Sequence, residues 1–143
     1  MLLTAAILSL SAAARFAFKL RRLDDADPER LIGQLRLARG GAILLACIGG
    51  LRIGLAVAHD GLPIANLDLF FGIAGVLLAA AVLSFPPQQA LRLSAAGFLV
   101  FAMVEVAHRL SGGSASLSPG WLVAGSAAYD LCAAAVCFWA TRR

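Results

Sequence analysis

Apolar runs of membrane-spanning length are the feature that most constrains how this 143-residue chain folds. A transmembrane helix needs about 20 mostly apolar residues, because it must cross a hydrocarbon layer about 30 Å thick. The sequence is 61% hydrophobic and 14% charged, and such runs recur along it. Five spans would use about 100 residues, which leaves no second, soluble domain of useful size. We therefore predict one all-α polytopic membrane domain over 1–143, a compact bundle rather than a soluble enzyme, a disordered chain or a disulfide-stapled secreted module.

Turn and loop residues divide the apolar sequence into segments. The stretches 59–63, 86–89 and 111–119 carry these breaker signals. Spans are expected at about 1–20, 40–59, 64–85, 90–110 and 120–140, which makes five, or four if the first run only lies in the membrane interface. The first run has no positive charge before it, so we expect it to be retained rather than cleaved. Asp27, Pro28 and Glu29 form a helix-start signal, from which the second helix is expected to run unbroken into its span.

The basic residues predict an orientation for the bundle. If the amino terminus is outside, nine of the twelve lysines and arginines fall on the cytoplasmic side, five of them in the basic loop 21–39. Because cytoplasmic segments are enriched in Lys and Arg, we expect the carboxyl terminus to be cytoplasmic. Arginine outnumbers lysine eleven to one and Ala and Leu are abundant, which indicates a bacterial inner membrane. This topology accounts for the net charge of +4, so we expect membrane lipid and no nucleic acid as a partner.

Ionisable residues inside the spans are the main functional signal. A charged group at the centre of a membrane helix costs about 2.5–3.5 kcal/mol, so it normally faces the bundle interior and has a partner. Counting from the helix ends places all of them in the outer half of the bilayer, which predicts an outward-facing polar pocket. Its candidate residues are Arg52, Glu105, Asp130, His108 and Asp68. Arg52 keeps its charge, and either Glu105 or Asp130 is expected to pair with it.

His59, His108 and Glu105 form a candidate metal site. Glu105 and His108 are one helical turn apart, which is the spacing of metal ligands on a helix. His59 is predicted near the outer end of a span that runs in the same direction, and nitrogen and oxygen ligands of this kind suit a transition metal. Two histidines also suit haem, although the sequence requires no cofactor. The alternative is that these histidines meet only lipid headgroups and water.

Gly50 and Gly54 have the spacing of small residues that lets two membrane helices approach closely. One interpretation is tight packing inside the bundle, which is also expected of Gly49 in the same span and of Gly72 and Gly75 in the third. The other is that Gly50 and Gly54 mediate a homo-oligomer or a contact in a larger membrane complex.

The polar pocket predicts a protein that handles a small ion, a metal or a polar solute, as in transport or permeation. A structural ion pair is the competing interpretation of the same residues. The alternative function is a non-catalytic accessory or assembly subunit of a larger membrane complex, because the chain is small and 21–39 offers a docking surface. A third is an intramembrane enzyme or a haem- or metal-binding protein, although no residue is assigned a catalytic role.

Overall fold

The computed structural model describes residues 2–24, 27–58, 63–110 and 120–142, and these form five α-helices with no strand among them. The helices are α1 (Leu2–Arg21), α2 (Pro28–Ala58), α3 (Pro63–Ser84), α4 (Pro87–Leu110) and α5 (Gly120–Trp139). The predicted all-α bundle is confirmed. Within the described residues, α2, most of α3 and most of α4 are long and apolar enough to cross a membrane, and Ala124–Trp139 of α5 is a shorter apolar segment.

Three of the helices begin at a proline, whose fixed φ and missing N–H suit the first turn of a helix. At the start of α2, the Glu29 backbone N–H donates to Asp27 Oδ1 at 2.8 Å, so the predicted cap is formed. From Pro28 the helix continues for 31 residues without a break. That length is about 46 Å, well beyond the thickness of a bilayer core.

Backbone contact joins α2 to α3. A Cβ atom added to Gly49 would lie 2.6 Å from the Gly72 carbonyl oxygen, and one added to Gly72 would lie 2.8 Å from the Gly49 carbonyl oxygen. No side chain fits between the two helices at this level, so the absence of a Cβ atom at both positions is required. Such close approach favours van der Waals packing between helices in an apolar medium.

Gly50 and Gly54 lie on a different side of α2. Among the residues described, no atom outside the local helix backbone and chain neighbours lies within 4 Å of a Cβ built at either position. The interpretation that these two glycines pack inside the bundle is therefore wrong. Gly49 does so instead, because one residue along a helix rotates the side chain by about 100°.

The interior of the bundle is filled by apolar side chains from all five helices, including the fully buried Ala17 of α1. Leu45 of α2, Val82 of α3, and Leu91 and Phe98 of α4 are fully or almost fully buried, and α5 adds alanines and Cys137. Near the end where α5 finishes, the buried Gln34 amide donates to the Ala140 carbonyl oxygen at 3.2 Å. This bond satisfies a carbonyl that the end of a helix leaves without a partner in its own helix.

Large apolar side chains cover much of the outer surface. They include Leu8, Val57, Phe70, Leu77, Met103 and Leu110, each more than half exposed. Water penalises exposed apolar surface on this scale, whereas hydrocarbon accommodates it.

We expect Gly49→Ala to destabilise the bundle by about 1–3 kcal/mol, because the new methyl group meets the Gly72 backbone, which cannot move as a flexible side chain can. The matched control is Gly50→Ala, where the same methyl group meets open space and unfolding free energy is expected to change little or rise slightly. Reversible denaturation in detergent micelles measures both. Equal stability of the two variants would contradict the Gly49–Gly72 contact.

Candidate functional site

Four helices bring polar side chains to one place inside the apolar bundle. We call this group the Arg52 cluster; its members are Arg52 of α2, Asp68 of α3, Glu105 of α4, and Ser126 and Asp130 of α5. Each helix is mostly apolar along the segment that contributes to the cluster. The cluster is therefore a local exception to the composition around it.

Arg52 lies at the centre of the cluster and bridges two helices. Its Nη1 atom donates to Asp68 Oδ1 at 2.9 Å, and its Nη2 atom donates to Glu105 Oε1 at 2.9 Å. The three side chains are 11%, 17% and 14% exposed, respectively. The planar guanidinium suits this arrangement, because its donors point in fixed directions toward two acceptors. Its carbon also lies 5.3 Å from the ring centroid of Phe101, within cation–π range.

Glu105 connects Arg52 to α5. Its Oε2 atom accepts a hydrogen bond from Ser126 Oγ at 2.7 Å, while its Oε1 atom accepts the bond from Arg52. Both carboxylate oxygens are thus engaged, and bonds to a charged group are stronger than bonds between neutral groups. A continuous polar connection runs from α3 through α2 and α4 to α5.

Asp130 lies one helical turn beyond Ser126, and its contacts differ from those of the other carboxyl groups in the cluster. Its side chain is buried, with the residue only 2% exposed, and its charge interacts with those of Glu105 and Arg52. Among the described residues, its carboxyl group takes part in none of the hydrogen bonds and ion pairs that join the other members. One guanidinium therefore faces three carboxyl groups, which is more acid than a single arginine can neutralise.

The structure brings together four of the five pocket residues predicted from the sequence. Arg52 pairs with Glu105, one of the two partners considered, and pairs with Asp68 as well. The pairing with Asp68 also has a signal in the sequence. Arg52 lies six residues before the end of α2 and Asp68 five residues after the start of α3, so an antiparallel hairpin places them at the same depth. Ser126 was absent from the predicted set, although it lies four residues before Asp130 on the same face.

The candidate metal ligands fall mostly outside the described structure. His59 lies outside the described residues, and so does the side chain of His108, so their part in the pocket and in a metal site stays a prediction. No group of three His, Cys, Asp or Glu side chains suited to a metal is present within the part of the chain that the structure describes. Glu105 would have to give up a bond to Arg52 or Ser126 to bind a metal.

Replacing Arg52 with glutamine is expected to cost about 3 kcal/mol of stability, because Asp68 and Glu105 would lose their common cation while remaining largely buried. The matched control is Arg92→Gln on α4, an exposed arginine for which we expect a change within about 0.5 kcal/mol. Denaturation in detergent micelles measures both variants. A loss for Arg52→Gln no greater than that for Arg92→Gln would show that the bridge does not support the fold.

No protein-family model, no curated protein and no solved structure matches this chain.

Proposed function

We propose that this chain is a small integral membrane protein whose Arg52 cluster lets a small ion or a polar solute enter from one face of the bilayer, in a transport or permeation role. The observation that carries the proposal is the excess of carboxyl groups around Arg52 in an apolar bundle. A structural ion pair needs one carboxylate for one guanidinium. Further buried carboxyl groups lower the stability of the bundle unless a proton, another ion or a polar solute binds to them.

The depth of the cluster supports access from one end of the bundle. Arg52 lies six residues before Ala58, Asp68 five residues after Pro63, and Glu105 five residues before Leu110. At a rise of about 1.5 Å per residue, all three are about 8–9 Å below the same end. Their residual exposure of 11–17% is consistent with partial contact with solvent from that side.

The distribution of basic residues supports an orientation in which this end faces outward. Lysines and arginines concentrate toward the opposite end, at the end of α1, the start of α2, the start of α4 and the end of α5. By the positive-inside rule that end is cytoplasmic, in a bacterial inner membrane by composition. The cluster would then open to the outside, with the amino terminus on the same side.

Reconstitution into liposomes tests the proposal with three probes. Proton entry is followed with the trapped dye pyranine under a potential set by potassium and valinomycin, sodium entry with a sodium-sensitive dye, and glycerol entry by light scattering. We expect at least one probe to enter faster than into protein-free vesicles. Glu105→Gln and Asp130→Asn are expected to return that rate to the protein-free level, because each removes a carboxylate from the cluster.

Ser94→Ala is the matched control for these variants. Ser94 is also buried in the bundle, but its hydroxyl donates to the Ala90 carbonyl oxygen of its own helix, eleven residues or about 16 Å before Glu105. We expect it to retain the native rate. Gel filtration and circular dichroism establish that each variant is folded. Entry rates at the protein-free level for all three probes, or native rates in both carboxylate variants, would contradict the proposal.

Assembly of the protein with a second copy of itself is a second candidate function, in which the bundle acts as an accessory or structural subunit. It is favoured by the open side of α2, where Gly50 and Gly54 are exposed, together with the exposed Cys47 one turn before Gly50. Small residues on a lipid-facing surface let a further helix approach closely. Membership in a larger membrane complex is the other form of this candidate.

Cys47 provides a direct test of the second candidate. In a Cys132→Ala background, copper-phenanthroline oxidation of membranes is expected to give a disulfide-linked dimer, because Cys47 of two copies would lie across the same contact. The further change Cys47→Ala controls for other crosslinks, and Gly54→Leu is expected to reduce the dimer by filling the open surface. A monomer under oxidation would contradict self-association through this face.

A further inference from the structure

The carboxyl groups of the Arg52 cluster are of two kinds. Asp68 and Glu105 each receive a charge-assisted hydrogen bond from Arg52 at 2.9 Å, and Glu105 receives a second bond from Ser126. Asp130 is more deeply buried than either of them and takes part in none of these bonds within the described structure. The charge balance of the cluster therefore depends mainly on the state of Asp130.

The charged groups that face Asp130 come from two other helices. α4 presents Glu105, whose negative charge opposes that of an ionised Asp130, and α2 presents Arg52, which is already shared between two carboxylates. α1 also packs on α5, where the Ser9 and Tyr129 hydroxyl oxygens are 3.3 Å apart. On α5 itself, the described residues along the same face that carry a polar or titratable group are Ser126 and the buried Cys137. These surroundings supply Asp130 with no cation of its own.

A proton suits this position better than a metal ion does. A divalent cation needs about six oxygen ligands, and the described cluster offers few that are not already bonded. A proton needs only one carboxylate oxygen: the carboxylate and H⁺ combine to a neutral carboxylic acid, and the reverse step returns both. Proton uptake removes a buried negative charge and its repulsion with Glu105, so it lowers the cost of burying Asp130.

We propose that Asp130 is the proton-binding group of the Arg52 cluster and that the ion handled by the protein is H⁺, an inference that rests on the proposed function. The Arg52–Asp68–Glu105 bridge provides the charged groups that interact with it. When Asp130 loses its proton, its carboxylate competes with Glu105 for Arg52. Proton binding at Asp130 is therefore coupled to the strength of the bridge between α2 and α4.

Carbodiimide labelling tests this inference without requiring transport. Dicyclohexylcarbodiimide partitions into apolar regions and reacts with protonated carboxylic acids, and the adduct is located by mass spectrometry of peptides. In proteoliposomes between about pH 5 and about pH 9, we expect an adduct at Asp130 whose yield falls about tenfold per pH unit once the acid is mostly ionised. Asp68 and Glu105, whose carboxylate oxygens are held in charge-assisted hydrogen bonds by Arg52, are expected to give a smaller adduct yield than Asp130.

Three variants and a second measurement, the infrared band of a protonated carboxyl group, test the proton site further. Asp130→Asn is expected to lose the adduct and one infrared band of a protonated carboxyl group, Asp130→Glu to retain both, and Ser94→Ala to match the native protein. If folded native protein shows neither the adduct nor the band across this pH range, the proton site is overturned. If Asp130 labels with the expected pH dependence but none of the three probes enters liposomes, the proton site is supported and the proposed transport function fails.

Discussion

Arg52 donates to Asp68 and Glu105 from one guanidinium, and this places α2, α3 and α4 at a common level. An arginine in an apolar bundle cannot shed its charge, so its partners must be close and correctly oriented. Gly49 lies about one turn before Arg52 on α2. Its contact with Gly72 holds α2 and α3 near enough for the short Asp68 side chain to reach Arg52. Helix packing and charge pairing thus depend on each other.

The sequence is sufficient to locate the helices, but it does not determine which side of each helix faces its neighbours. Breaker residues near 59–63 and 86–89 gave the helix boundaries because turn chemistry is local, and Pro28 marked the start of α2. The rotation of α2 about its axis decides which of two adjacent glycines faces α3, and composition does not determine that rotation. The sequence alone therefore does not distinguish Gly49 from Gly50. Depth alone leaves both Glu105 and Asp130 as candidate partners of Arg52, and its bonds to Glu105 and Asp68 depend on how the helices pack together.

The cluster and the remainder of the interior have different physical roles. Phe98, Leu45 and Leu91 stabilise the bundle by packing, and Gln34 secures the last turn of α5 without any charge. The carboxyl groups around Arg52 exceed what pairing requires, and this excess reduces stability rather than adding to it. Packing does not account for the buried carboxyl group of Asp130, and the proposed proton site is therefore placed on this residue.

The bond between Arg52 and Asp68 also bears on how such a chain is inserted into a bilayer. The two residues are separated by only sixteen positions and lie on consecutive helices. Each charge alone would add about 2.5–3.5 kcal/mol to the insertion of its own helix. An α2–α3 hairpin that enters as a unit carries the two charges already paired, before α4 and α5 are synthesised. Glu105 and Asp130 then enter the bilayer beside an arginine that Asp68 has already positioned.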